Sequence, residues 1–220
     1  MSRFTDHETL RQIIAHQNDA MKKQYFDSQG NRLWTGAQNF QALKDRAKRE
    51  GGSLEELPRF NASDAIAYFD GKGEGEVWVD PNFSGYARAF GAMLRCLYNY
   101  DYSERELSGL NIDHIYSREA ARNKLAFVRV AAIDSGVNQA RGSHEKRLGP
   151  PLESKFLLAR ATVADYCKIN NCHFLIGTKG MESAGIPMMV AYGVYEGFIP
   201  QERASQLMTR GIQEVKNAFR

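Results

Sequence analysis

Apolar residues recur at helical spacing along much of the chain. Near the N-terminus, Leu10, Ile13 and Ile14 lie on one side of a predicted helix that Thr5 or Asp6 can cap. The same pattern predicts further helices at residues 36–49, 53–57, 81–100, 152–170 and 200–219. Most of the chain is therefore predicted to be helical.

Strand-like segments are fewer and lie mainly in the centre of the chain. Residues 112–116 and 126–133 are predicted strands, with a short predicted helix at 117–123 that Ser117 caps. Residue 138 begins a segment that leads into another predicted helix. Further strands are predicted at residues 76–80, 174–177 and 188–192. The centre is thus predicted to run strand, short helix, strand, helix.

Two polar residues stand out in this centre, because an acid and an imidazole follow one another on a predicted strand. Asp113 and His114 lie between branched apolar residues, and Asn138 follows His114 by 24 positions, where the next helix starts. Arg141 and Gly142 come directly afterwards. This order of strands, helix and polar residues is that of ββα-metal fingers.

Residues 110–148 resemble the HNH, or His-Me finger, endonucleases in the Asp113-His114 pair, the distance to Asn138 and the Arg-Gly that follows it. The resemblance covers under a fifth of the chain. It implies a divalent-metal phosphodiesterase that acts on DNA, less often on RNA. The cysteines of zinc-stapled relatives are missing here, so the finger is expected to be held by packing against the flanking helices.

The residue types fit the chemistry of phosphodiester hydrolysis. A histidine with a pKa near neutrality can take a proton from water, which makes His114 the candidate general base. Asp113 and Asn138 supply hard oxygen atoms and are the candidate ligands of Mg²⁺, or of Mn²⁺. Since alternate strand residues face opposite ways, Asp113 and His114 are expected on different faces of their strand unless a bulge redirects one.

The role of His144 depends on where the downstream helix begins. On a helix that starts at Asn138, position 144 lies about 120° away from the Asn138 face, whereas Arg141 lies nearer to it. His144 becomes a further metal ligand only if the helix starts near Gly142. Arg141 is the better candidate for a phosphate contact.

Charge is unevenly distributed along the chain. The net charge is +3, but residues 118–160 hold nine basic and four acidic side chains. The basic excess therefore lies around the Asp-His pair, where nucleic acid would bind. Within it, Arg118, Arg141, Lys146 and Arg147 are the candidate phosphate-binding residues. Basic side chains on solvated helix faces are the plainer interpretation of the same charges.

Several other classes of protein lack support in the sequence. The glycines of residues 70–75 have no preceding strand and no Lys-Ser/Thr after them, so they do not make a phosphate loop. No nucleophile motif of a serine or cysteine hydrolase is present. Three cysteines do not form a disulfide framework or a zinc site. The absence of an apolar run or secretory signal predicts a soluble, cytoplasmic protein with no membrane partner, or one exported by a specialised system.

The sequence therefore predicts an α+β protein, mostly helical, with an embedded HNH-like ββα-metal finger. A helical N-terminal region (1–105), the finger (106–150) and a C-terminal α/β region (151–220) are expected to share one core. The predicted activity is metal-dependent endonucleolytic cleavage of DNA, or of RNA, in a phage or defence nuclease or in an antibacterial toxin with an immunity or inhibitor protein as partner. The alternative is a non-catalytic module that binds nucleic acid or protein and keeps the finger as a scaffold.

Overall fold

The computed structural model describes residues 7–27, 32–102, 107–136, 152–170 and 200–218. Six helices are present in these ranges: α1 (His7–Tyr25), α2 (Phe40–Glu50), α3 (Tyr86–Tyr98), α4 (Arg118–Ala121), α5 (Val163–Ile169) and α6 (Gln201–Ala218). Eight strands accompany them: β1 (Trp34–Ala37), β2 (Ser53–Glu56), β3 (Ala65–Phe69), β4 (Gly75–Val79), β5 (Leu110–His114), β6 (Phe127–Asp134), β7 (Leu152–Glu153) and β8 (Leu158–Arg160).

All eight strands belong to one curled antiparallel sheet with the order β2-β3-β4-β6-β1-β8-β7, to which β5 is added as a second partner of β6. Strand β6 is the centre. On one edge, β4 pairs with it through Val77 and Val130. On the opposite edge, β1 pairs with its first residues, through Gly36 and Val128, and β5 pairs with the rest, through His114 and Val130. The sheet therefore forks along this edge of β6, between β1 and β5.

Glycine at position 36 allows the chain to pack closely beside this fork. A Cβ at Gly36 would lie 2.5 Å from Leu125 Cδ1 and 3.2 Å from Ala159 Cβ. Leu125 belongs to a small buried cluster with Tyr116, Val128 and Ala159. Only a residue without a side chain leaves room for the segment between α4 and β6 to cover β1.

Helices pack on both faces of the sheet. On one face, α1 and α3 contribute Leu10, Phe90 and Met93 to a core that includes Val77 and Val130 of the sheet. On the other face, α2 covers a second core, which contains Trp34, Leu43, Tyr68, Trp78 and Phe127. Successive side chains along β4 and β6 point to opposite faces of the sheet, so each strand contributes side chains to both cores.

Local capping signals explain where α2 begins and ends and where α5 begins. The side chain of Asn39 accepts a hydrogen bond from Ala42 N (2.9 Å) and starts α2, which ends at Gly51 in the left-handed conformation, with φ at 74°. Thr162 and Asp165 form a capping box that starts α5. In the ranges described, no helix is both long and apolar enough to cross a bilayer.

The prediction of a mostly helical protein around a small ββα finger is wrong. The molecule is organised by the curled sheet, and β5 and β6 are two strands of that sheet rather than a separate finger. Strands from all three predicted regions lie in it. The helical prediction failed because short strands buried by their neighbours carry little periodicity of their own.

Three segments account for most of this difference. Residues 53–56 form the edge strand β2 and not a helix, because they pair with β3, a strand that the sequence did not predict. Residues 34–37 form β1 ahead of α2. Residues 152–160 form the hairpin β7–β8, and only 163–169 of the predicted helix are helical. In each case pairing with a distant strand overrides the local pattern.

Other predicted elements are confirmed with small shifts in their ends. Helices α1, α3, α4 and α6 lie within or across the predicted helices, and β4, β5 and β6 match the predicted strands within two residues. The strands predicted at 174–177 and 188–192, and the helix from residue 138, lie outside the described residues.

Candidate functional site

The Asp-His pair lies at the C-terminal end of β5, next to the fork in the sheet. Asp113 is paired with Ala131 and His114 with Val130 of β6, and the next amide, Ile115 N, still donates to Arg129 O (2.9 Å). As strand alternation requires, the two side chains face opposite sides. His114 points toward α3, where its ring centroid lies 4.7 Å from that of Tyr86, and Asp113 points toward α5.

Lys168 of α5 is the principal partner of Asp113. Its ammonium group lies 2.8 Å from Asp113 Oδ2 and donates a second hydrogen bond of 2.7 Å to His114 O. The side chain of Lys168 is 1% exposed and that of Asp113 is 23% exposed. The lysine thus ties α5 to the end of β5 and brings a positive charge directly beside the pair.

The Asp113 carboxylate is held in its charged form. Burial by itself raises its pKa, but the nearby His114 imidazole and the charge and hydrogen bond of Lys168 more than offset that effect. The net result is a pKa well below the usual range of aspartate. At neutral pH Asp113 and Lys168 therefore form an ion pair between a carboxylate and an ammonium ion.

The imidazole of His114 is buried, with only 3% of the residue exposed. Its Nδ1 lies 3.6 Å from Asp113 Oδ1, and its Nε2 has no hydrogen-bond partner among the described residues. A buried polar atom without a partner is uncommon in a folded protein and indicates that water, or another group, completes the site.

A cavity of about 350 Å³ runs along β5 and reaches Asp113, although His114 does not line it. Asn111, Ile112 and Asp113 line it from the strand, and Tyr86 and Tyr102 line it from the opposite wall. The hydroxyl of Tyr102 donates to Ala87 O (2.9 Å), which holds that wall against α3. A small polar group can therefore approach the Asp113 carboxylate from this side.

The remaining predicted site residues are only partly placed. Arg118 is exposed in the first turn of α4, four residues after His114. Asn138, Arg141, His144, Lys146 and Arg147 lie outside the described residues. The structure therefore brings together Asp113 and His114, and it adds Lys168, which sequence reasoning missed. The sequence did contain a signal for Lys168, because it lies between the apolar residues Cys167 and Ile169 in a helix that Thr162 and Asp165 start. A lysine in such a position is buried, and a buried lysine requires an acidic partner.

The described residues offer one metal ligand at this place and not a complete set. No group of three His, Cys, Asp or Glu side chains that could hold an ion occurs among them. Asp113 is a suitable hard ligand because it is ionised, but Lys168 neutralises one of its oxygens. A cation would bind there only with ligands from outside the described ranges, such as Asn138, and in competition with the ammonium group of Lys168.

The basic residues of the 118–160 segment do not all face one surface. Arg129 is buried and binds Glu76 (3.0 Å), and Arg160 lies 3.1 Å from Glu153. Arg118, Arg122 and Lys124 are exposed around α4. Among the described residues, part of the local positive charge is therefore paired with carboxylates, three exposed cations lie around α4, which follows the Asp-His pair, and Lys155 is exposed in the β7–β8 turn.

The largest buried ionic group among the described residues was not predicted. Arg46 of α2 forms two hydrogen bonds with Glu76 of β4, of 2.6 and 2.9 Å, and Arg129 of β6 binds the same carboxylate. Trp78 Nε1 also donates to it (3.0 Å). Burial raises the pKa of Glu76, but the two arginines lower it by more, to about 2. The signal in the sequence was a glutamate beside Val77 in an otherwise buried strand.

Comparison of the chain with protein-family models, with curated proteins and with solved structures finds no match.

Proposed function

We propose that the protein is a divalent-metal-dependent endonuclease that hydrolyses phosphodiester bonds of DNA or RNA, with His114 as general base. The observation that carries this proposal is the pairing of an ionised Asp113 with a histidine whose Nε2 has no partner among the described residues. A carboxylate that can bind a cation therefore lies beside an imidazole that can accept a proton from water.

His114 is suited to this role by its contacts. The Asp113 carboxylate lies on the Nδ1 side of the ring, at 3.6 Å from Oδ1, and favours a proton on that nitrogen. The unpaired Nε2 is then the basic nitrogen. Packing against Tyr86 fixes the plane of the ring, so that a proton transfer would occur in one direction.

The metal, when bound, would polarise the phosphodiester and increase the acidity of bound water. Asp113 would hold it, with Asn138 and, if the helix starts late, His144. Arg118 and the downstream Arg141, Lys146 and Arg147 would bind substrate phosphates. A phage, defence or toxin role, with an immunity or inhibitor protein as partner, belongs to the same proposal.

The ion pair between Lys168 and Asp113 favours a second candidate, a non-catalytic module that binds nucleic acid or protein. A fully buried lysine with two hydrogen bonds is also what a purely structural connection between α5 and β5 would contain. In that case neither Asp113 nor His114 touches a ligand.

Cleavage of supercoiled plasmid in Mg²⁺ or Mn²⁺ tests the proposal. We expect His114→Ala and the more conservative His114→Asn to lose about 100- to 10,000-fold in rate, the usual contribution of a general base. His16→Ala is the matched control, because His16 is 70% exposed in α1 and pairs with Glu74. Both His114 variants are to be checked for native thermal unfolding. Full activity in a folded His114 variant would contradict the mechanism.

A further inference from the structure

A second cavity lies on the α2 face of the sheet, away from the Asp113 cavity. It measures about 580 Å³, within the range of roughly 300–1,000 Å³ that is usual for small-molecule sites. Trp34 of β1, Tyr68 of β3 and Phe156 of the β7–β8 turn supply its aromatic walls. None of the described residues that line it is shared with the candidate nuclease site.

The aromatic walls carry guanidinium groups. The Arg49 guanidinium lies 4.5 Å from the ring centroid of Phe156, and that of Arg160 lies 5.4 Å from Trp34. Trp34 and Phe156 meet edge to face, with centroids 5.8 Å apart. Trp34 is buried, with 3% exposed, whereas Phe156 is partly exposed, so the Arg49–Phe156 pair is the part of the wall on which a base can stack.

The cavity is positively charged but also contains acceptors. Five of the twelve residues that line it are basic and three are acidic. The deepest cation, Arg46, is already bound to Glu76 and Glu50, so it belongs to the floor. Arg49 and Arg160 lie nearer the opening, with side chains 37% and 31% exposed. Arg49 also lies 3.4 Å from Glu50 and Arg160 lies 3.1 Å from Glu153, so the positive charge that a ligand can reach is at the rim and is shared with these carboxylates.

Arg160 has a hydrogen-bond donor that the described residues do not satisfy. Its Nε lies 3.1 Å from Glu153 Oε1, but the N–H is not directed at that oxygen, and the atom has no hydrogen-bond partner among the described residues. A buried guanidinium donor without a partner is costly unless a ligand or water fills the position. An anionic group placed beside Trp34 would satisfy it.

We propose that this cavity binds a nucleotide, with the base stacked on Phe156 and the Arg49 guanidinium and the phosphate bound by Arg160. The nucleotide is either free or one unit of a single strand. Binding here needs no cleavage at Asp113 and His114, and it is independent of the proposed nuclease activity.

The mixed charge of the walls selects this class of ligand. A compact inorganic polyanion would be repelled by the acidic side chains of Glu50 and Asp70, whereas one nucleotide unit has a single phosphate and also donors on its base and sugar. Glu50 already accepts hydrogen bonds from Trp34 Nε1 and Tyr68 OH, both of 3.3 Å. With the contacts of Arg46 and Arg49, these donors occupy its carboxylate, so Asp70 is the acidic side chain of the wall that can accept from a base or sugar donor.

Calorimetric titration in the presence of EDTA, which prevents metal-dependent cleavage, tests the site. The probes are adenosine 5′-monophosphate, adenosine, inorganic phosphate and a short single-stranded oligothymidylate. We expect the monophosphate, the oligonucleotide or both to bind, with quenching of Trp34 fluorescence, and adenosine and phosphate to bind more weakly by about tenfold or more. Binding of the monophosphate identifies a free nucleotide as sufficient, and binding of the oligonucleotide alone identifies a strand.

Substitutions of residues that line the cavity test whether the nucleotide binds there. Arg49→Gln and Phe156→Leu should each weaken it by about tenfold, the reduction expected for one charge-assisted or stacking interaction. Arg11→Gln, on the exposed side of α1, and Phe60→Leu, which packs on Phe83, are the matched controls and should leave it unchanged. The proposal is overturned if neither nucleotide probe binds, if phosphate alone binds as tightly as the monophosphate, or if the controls weaken binding as much as the cavity variants.

Discussion

The Lys168 side chain decides how the Asp113 carboxylate can be used. An ammonium group that is 1% exposed has lost almost all its hydration and is stabilised by the carboxylate and by His114 O. Removing one partner of such a pair costs about 3–5 kcal/mol, because an unpaired charge stays buried. Asp113→Ala therefore cannot separate a role in metal binding from a role in stability, and the lysine is the better residue to change.

Lys168→Met should strengthen binding of Mn²⁺ if Asp113 is a metal ligand. Methionine keeps the length of the side chain and removes the positive charge that competes with the cation. Electrostatic repulsion at this distance corresponds to about tenfold or more in affinity. Calorimetric titration with Mn²⁺ measures the change.

The matched variants give this experiment its control. Asp113→Asn in the Lys168→Met background removes the charged ligand while the buried ammonium is already absent, so both proteins should unfold at similar temperatures. Loss of the gained affinity in the double variant would identify Asp113 as the ligand. If Lys168→Met binds Mn²⁺ no better than the parent protein, the Asp-His pair is structural.

At the scale of elements, the ionic group around Glu76 joins α2, β4 and β6. Arg46 and Arg129 share its carboxylate, and Gln24 at the end of α1 accepts from Arg129 Nη1 (3.0 Å). Burial lowers the pKa of Arg129, but an arginine stays charged in proteins. The buried guanidinium groups of Arg46 and Arg129 are therefore neutralised by the one fully buried carboxylate of Glu76. Arg46 also binds Glu50 on the solvent side.

Glu76→Gln should destabilise the protein at neutral pH by about 3 kcal/mol or more, because glutamine has nearly the same shape but cannot neutralise two buried guanidinium groups. Glu55→Gln, on the exposed edge strand β2, is the control with the same chemical change. Urea unfolding monitored by tryptophan fluorescence gives the free energy of unfolding. Equal stability of the two variants would contradict the role assigned to Glu76.

The same carboxylate predicts a loss of stability in acid. The pKa of Glu76 falls to about 2 in the folded protein, below the unfolded value of about 4.3, so its contribution is complete above about pH 4.5 and is lost as the pH falls toward 2. The shift corresponds to about 3 kcal/mol. The free energy of unfolding should therefore fall more between about pH 5 and about pH 2.5 in the parent protein than in Glu76→Gln. An equal decline in both would contradict the assignment.

At the scale of the whole molecule, the sheet puts the exposed basic residues of α4 on the same part of the fold as the Asp-His pair. Strand β5 leads directly into α4, and α4 leads back into β6. Arg129 is buried with Glu76 and Arg160 lies in the cavity on the α2 face, which leaves fewer cations beside the Asp-His pair than the nine basic residues of the segment suggest. Binding of duplex DNA should therefore be moderate and strongly salt-dependent.

Neutralising phosphate-binding residues should lower this salt dependence. Arg141→Gln with Lys146→Gln should reduce the slope of log affinity against log salt by about 2, since each side chain that no longer binds a phosphate lowers the slope by about 1. Arg11→Gln changes the net charge elsewhere and should leave the slope unchanged. Fluorescence anisotropy with a labelled duplex in EDTA gives the slope for each protein. An affinity that does not change with salt would rule out phosphate binding.

Some elements could be predicted because their signals are local. Phe90, Met93 and Leu94 repeat at helical spacing and identified α3, and the apolar run of Phe127–Asp134 identified β6. Residues 152–160 misled the helical prediction, because Leu158 and Ala159 are apolar in either structure and only pairing with β1 makes them a strand. The Asp-His pair was placed correctly on a strand, since β-propensity and sequence adjacency suffice for that, but the strand ends at His114 and not at Tyr116 as predicted.

The sequence by itself determined the helical stripes, the central strands and the adjacency of Asp113 and His114, because each depends on residues within a few positions of one another. Only the tertiary structure decided the curled sheet, the fork between β1 and β5, and the partners of the buried charges. Lys168 and Asp113 are 55 positions apart and Arg46 and Glu76 are 30 apart. Contacts over such separations form only when the sheet brings their elements together, and no local pattern contains them.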